Sequence, residues 1–305
     1  MALAELATGE RDTYPMDVME LPSKALSNRA EGLVGFESRY MSVAGQLRLI
    51  LERDEVRRWS QQLYGRVIGA CMWSEDRHPL AIFSGDVGTG KTVTAECVAN
   101  RLSQDTEREG RLLKVSADIR GSGLHGDMSR QIGKAFADLT EQAGKKRLAF
   151  LLIDEADAIA TQRSTEQMHQ EEKAGVNFLI QGMDSIRRSS GRAVAMLCTN
   201  RLDVLDAAIV RRAACVLEFQ RPSLEEAVQL LHLDLDGTEI TDVQIRRLAE
   251  RTTSKSQDSG IGYTFSDYRQ RLFPCAIAMA YPNGTLTWNI LNDAVERTQA
   301  SPEVT

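Results

Sequence analysis

The sequence predicts an α/β fold, a doubly wound parallel sheet of five strands followed by a small all-α lid domain. Three observations predict it. Apolar runs near Leu80, Leu112, Leu148, Val194 and Val216 alternate with helical patterns, and such alternation winds a parallel sheet on both faces. The first run leads into Gly85-Asp86-Val87-Gly88-Thr89-Gly90-Lys91-Thr92, a phosphate-binding loop set between a strand and a helix as that motif requires. After Arg221-Pro222 the pattern is helical only. The boundaries read as 1–30 for a lead-in arm, 31–221 for the large nucleotide-binding domain and 222–305 for the lid.

Taken in order, the segment from Met1 to about Ala30 is mixed and polar, broken by Pro15 and Pro22, and suggests a loosely packed arm. Tyr40, Val43, Leu47, Ile50, Leu51 and Val56 recur at helical spacing, so residues 38–63 read as helices packed outside the nucleotide domain. Pro79 to Phe83 is a buried strand, and Val93 to Leu102 is the helix behind the loop. Glycines 85, 88 and 90 let the backbone turn its N–H groups onto phosphate oxygens at the positive end of the helix dipole. Lys91 would reach the β and γ phosphates of ATP, and the Thr92 hydroxyl would ligate Mg²⁺, with Val93 closing the candidate nucleotide-binding stretch.

The run Arg147 to Ile153 is a strand buried on both faces, and it ends in Asp154-Glu155-Ala156-Asp157. Ligands of open α/β sheets bind at the carboxyl ends of strands, so Asp154 is the expected Mg²⁺ partner and Glu155 the carboxylate that polarises the attacking water. Asp157 reads as a cap. In the lid, Ser223-Leu224-Glu225-Glu226 is a capping box, Thr241 to Arg251 a second helix, Ser266 to Tyr281 a third interrupted by Pro274, and Trp288 to Arg297 the last. Residues 252–262, rich in Ser, Thr and Gly, read as a mobile loop.

With 305 residues, 42% hydrophobic and 26% charged, the chain can bury a large core. A net charge of −6 argues against a strongly electrostatic nucleic-acid binder. The five cysteines are odd in number, widely spaced and mostly set in apolar runs, which reads as reduced core residues. No stretch has the pattern of a signal peptide or the length of a membrane span, so the expectation is a cytoplasmic protein without a membrane partner. Asp154-Glu155-Ala156-Asp157 also spells the signature of one helicase superfamily, but the segment after residue 222 is too short for the second nucleotide-binding-like domain those enzymes need.

The stretch Val194 to Arg212 resembles the sensor 1 and second region of homology of AAA+ ATPases. The resemblance, which spans about residues 32 to 300, implies that Asn200 holds the attacking water and that an arginine reaches into the neighbouring subunit's site, within a ring that is usually hexameric. Arg211 stands at the first of the family's two usual arginine positions, while the second falls on Ala214. Arg211-Arg212-Ala213-Ala214 is similar to the Asp-Arg-Ala-Asp segment of the pachytene-checkpoint ATPases, which remodel HORMA-domain proteins, and that alignment favours Arg212 with Arg211 in reserve. Gly35 to Tyr40 and Val176 to Asp184 resemble the same branch, and the former its short bacterial members found with antiphage second-messenger systems. The implied client is a HORMA-domain protein, free or bound to a second-messenger nucleotidyltransferase.

The same resemblance places a substrate-gripping pore loop at Leu124-His125-Gly126, where a plain glycine turn is the other reading, and a second one in residues 161–173, which could equally be a solvated helix start. It assigns sensor 2 to Arg269, with Arg271 nearly as good and a surface role open for both. Asp86 replaces the proline common at its position, where the residue contributes backbone. The rival functions are a DNA-associated loader of the replication type and a slow triphosphate-state switch.

Overall fold

The computed structural model describes residues 16–115, 127–144, 147–159, 170–188, 191–253 and 260–303. Strand β1 (Asp17–Leu21) and helices α1 (Lys24–Glu31), α2 (Phe36–Leu51), α3 (Arg53–Tyr64) and α4 (Gly69–Glu75) precede β2 (Leu80–Gly85) and α5 (Lys91–Asp105). The sheet continues through β3 (Gly110–Val115), α6 (Asp127–Ala143), β4 (Leu148–Ile153), α7 (Gln170–Arg187), β5 (Ala193–Thr199), α8 (Ala207–Val210) and β6 (Cys215–Phe219). The lid holds α9 (Leu224–Asp234), α10 (Asp242–Thr252), α11 (Phe265–Asp267), α12 (Phe273–Ala280) and α13 (Trp288–Arg297).

The strand order is β1-β3-β4-β5-β2-β6. β2 through β6 are parallel and are the five strands expected from the apolar runs. All residues of β4 and β5 are buried, because helices cover both faces of the sheet. On one face Ile82, Leu151 and Leu197 pack with Phe136 of α6 and Leu179 of α7; on the other, Phe83, Phe150 and Met196 pack with Leu47 of α2 and Val98 of α5. Each such apolar side chain contributes about 1.5–3 kcal/mol on burial. β5 lies between β2 and β4, so whatever follows it emerges between the phosphate-binding loop and the Asp154-Glu155 pair.

The lead-in differs from its reading as a loose arm. Residues 17–21 form β1, antiparallel to β3 with Met19 opposite Leu112, and α1 packs on α5 with Leu26 buried. Polar text there is the signature of an edge strand with one face in water, as burial of only Leu21 within β1 indicates.

The lid has a core of its own around Leu230, Leu248, Tyr268 and Leu291, to which Val34 is added from the turn between α1 and α2. Its helices start where side chains cap them: Ser223 with Glu226, Thr241 with Gln244 and Thr264 with Asp267 all form capping boxes. Pro274 does not separate two helices. Residues 268–272 make one wide π turn, and α geometry resumes at Phe273 with the proline in the first turn, where its missing N–H costs least. No described helix is long and apolar enough to cross a membrane.

Candidate nucleotide site

β2 is buried up to Ser84 and delivers Gly85 at the carboxyl edge of the sheet. The loop beyond it is held from inside. Thr89, 1% exposed, donates from Oγ1 to the Asp86 carbonyl at 2.7 Å, and Lys91 Nζ donates to the carbonyls of Gly85 at 2.9 Å and Asp86 at 2.7 Å. Burial pushes the Lys91 ammonium below its ordinary pKa, against the attraction of Asp154 and other nearby acids. A charged, desolvated lysine held only by carbonyls gains by meeting phosphate oxygens.

Thr92 Oγ1 donates to Asp154 Oδ2 at 2.9 Å, so a hydroxyl and a carboxylate share one corner at the end of β4. Hard oxygens in this number suit Mg²⁺, which takes one or two protein ligands and completes its shell with phosphate and water. Glu155 N donates to Asp154 Oδ1 at 3.0 Å, and Glu155 adopts a left-handed φ of 51°, a strained conformation for a side-chain-bearing residue. That turn leaves its carboxylate exposed at the cleft.

Asn200 follows the last residue of β5. Asp157 fixes this strand end: its Oδ1 accepts from Thr199 Oγ1 at 2.9 Å and from Asn200 N at 3.3 Å. Asp157 is therefore not the helix cap expected of it: it stands inside the short turn 156–158 and ties the end of the neighbouring strand instead. Beneath the site, burial raises the pKa of the Cys198 thiol, with Asp154 adding to the effect, so it stays protonated; all five cysteines are free.

Val87, Gly88, Gly90, Lys91, Thr92, Val93, Asp154, Glu155, Asn200 and Arg269 line a single cleft of about 510 Å³. Gly85, Asp86 and Thr89 form the loop's inner turn behind it. Arg29, Leu33, Phe265, Ser266 and Gln270 complete the lining. Sequence reasoning missed these five because no local motif marks them, spread as they are over a helix, a turn and the start of the lid's third helix; the capping box at Thr264 is the nearest signal. Arg29 is held by Glu96 at 3.0 Å, and Glu96 also pairs with Lys114.

The arginines fall differently. Arg269 lies at the cleft but is held by both oxygens of Asp234, at 2.7 and 2.9 Å. Arg271 is directed elsewhere, to the Gln299 carbonyl at 3.4 Å and Asp267 at 3.5 Å. Arg211 and Arg212 stand after α8 and do not line the cleft: Arg211 is exposed, while Arg212 reaches Asp184 at 3.4 Å and the Ala208 carbonyl at 2.9 Å. Leu124, His125 and Gly126 lie outside the described residues, as does most of residues 161–173. A wider groove of about 860 Å³ opens at the opposite, amino-terminal edge of the strands, but its arginines and carboxylates largely pair with one another, as Arg57 does with Glu75 at 2.7 Å.

Residues 81–221 match the family of ATPases associated with various cellular activities, AAA. CD-NTase-associated protein 6 of Escherichia coli strain KTE188 is 45% identical over 286 residues, 93% of this chain and 95% of that protein. A chain in the structure of the E. coli MS115-1 HORMA:CdnC:Trip13 complex superposes with a TM-score of 0.87 at 32% identity, covering 95% of this chain and 97% of that one. The structure of Rhizobiales Trip13 gives a TM-score of 0.72 at 26% identity, over 94% of this chain and 98% of that one.

Proposed function

The chain belongs to the AAA family of ATPases, alongside CD-NTase-associated protein 6, and from that premise we propose that it is a HORMA-domain remodeller working as a ring, its hydrolysis of ATP driving a closed client open. The observation that carries the reading is the likeness, over nearly the whole of both chains, to a chain from a complex that contains a HORMA protein and Trip13. The client is a HORMA-domain protein, bound or unbound to a nucleotidyltransferase of an antiphage signalling system, and the place of work is the cytoplasm. Residues 31–221 bind and hydrolyse, and 222–305 act as the moving lid.

In hydrolysis Lys91 leaves the carbonyls of Gly85 and Asp86 and donates to the β and γ phosphate oxygens, while the N–H groups of the loop cradle them. A Mg²⁺ ion held by Thr92 and Asp154 would neutralise charge on those oxygens. The Asn200 amide holds the attacking water and Glu155 takes its proton; the water oxygen bonds to the γ phosphorus as the bond to the β–γ bridging oxygen breaks, and ADP leaves with that electron pair. Arg212, with Arg211 beside it, belongs to the neighbouring subunit's site, which agrees with its distance from its own cleft. Arg269 exchanges Asp234 for the γ phosphate as the lid closes. The grip on the client falls to Leu124, His125 and Gly126.

The test is Glu155→Gln, which should bind ATP without turning it over. Recovered in ATP from its native lysate, it should carry a HORMA-domain protein. Recovery of DNA with replication proteins would overturn the reading in favour of a loader.

A further inference from the structure

At position 86 the AAA+ pattern has a proline and needs only backbone, yet here an acid stands there with its side chain 15% exposed and engaged. Asp86 Oδ2 accepts from Arg221 Nε at 2.7 Å, and Arg221, itself 11% exposed, also donates through Nη1 to the Gly262 carbonyl of the lid. Arg221 lies in the short link between β6 and α9, the segment that must turn if the lid moves. Two residues along the loop, the Gly88 carbonyl accepts from Ser266 N at 3.0 Å, and a Cβ at Gly88 would stand 2.8 Å from both Thr264 Oγ1 and Ser266 Cβ. The phosphate loop is thus fastened to the lid at two points.

Asp86 is also the residue whose carbonyl holds Lys91 Nζ at 2.7 Å. When the lysine turns to phosphate, that bond opens, so nucleotide changes the restraints on the same residue whose side chain holds the lid. A separate tie, outside the loop, also holds the lid: Arg39 pairs with Glu226 at 2.9 Å between the rings of Phe219 and Phe265, 5.2 and 5.8 Å from its guanidinium. Of the two arginines, only Arg221 touches the phosphate loop.

We propose that Asp86 and Arg221 are a latch, a pair of positioning residues that hold the helical lid down on the phosphate loop and set how fast ADP escapes. Proline at position 86 would keep the loop but lose the latch. The pair rests only on nucleotide occupying the cleft and not on any client.

The test is displacement of a fluorescent ADP analogue from the full chain with Mg²⁺, followed by stopped flow. Asp86→Asn and Arg221→Met should each speed release about tenfold, the equivalent of about 1.4 kcal/mol for a charge-assisted bond. The double variant should release no faster than Arg221→Met, because the interaction with Asp86 is already lost there. Arg221→Lys should recover part of the slow release, and Asp86→Pro should match Asp86→Asn. Multiplied effects in the double variant, unchanged release in the single ones, or slow release with proline would each overturn the latch. Absence of analogue binding to the unaltered chain would overturn the nucleotide reading of the cleft together with it.

Discussion

One oxygen of Asp157 organises the end of β5, and Thr199 and Asn200 both depend on it. Asp157→Ala should leave ATP binding in place and lower kcat about tenfold, with KM little changed, because Asn200, the residue proposed to hold the attacking water, loses its fixed position. Steady-state phosphate release checks the split. Asp267 in the lid is 1% exposed; burial alone would raise its pKa, but bonds from Ser301 and Thr264 outweigh that and hold it below the ordinary carboxylate value. A carboxyl depressed in the folded state stabilises fully above its unfolded pKa of about 4, and that contribution disappears as pH falls through the folded value. Asp267→Asn should therefore destabilise most near neutrality and progressively less as the pH falls through the folded value, read from denaturant melts in a series from neutral to acid pH. At this scale the phosphate loop and the acids after β4 were legible because their chemistry is local in sequence. Arg29, Phe265 and Gln270 were not, since their place at the cleft depends on how the lid and α1 pack.

Gly182 of α7 faces Phe136 of α6, and a Cβ there would come within 2.3 Å of the ring. Gly182→Ala should destabilise by about 1–3 kcal/mol through overpacking, and combining it with Phe136→Leu should recover part of the loss. Urea melts of the single and double variants measure this. Elements read from the sequence when their pattern was uniform, as the buried strands β2, β4 and β5 and the capped lid helices were. β1 escaped because five residues are too few to set a period, and their apolar side chains fall on both faces, Val18 exposed and Leu21 buried. Pro274 misled for the opposite reason: its breaking effect is strong locally, but a π turn before it absorbed the mismatch.

For the whole assembly, the arginines after α8 stand clear of their own cleft, as the proposed ring requires if one of them is to complete a neighbouring subunit's site. Glu155→Gln and Arg212→Ala should each be inactive alone, yet an equimolar mixture should regain turnover at about a quarter of its interfaces, where an intact Glu155 faces an intact Arg212. Failure to recover, with Arg211→Ala recovering instead, would move the finger one residue back. That distinction was beyond the sequence, since the two arginines are adjacent and only the ring decides between them. The antiparallel β1 has an effect on the molecule's company as well. By occupying the outer hydrogen-bonding groups of β3, it moves the sheet's edge from an apolar strand to a five-residue one that carries Asp17 and Glu20, a poorer template for a foreign strand. Deleting residues 16–23 would unmask that ladder, and the freed β3 should recruit foreign strands and carry the protein into fibrous precipitate.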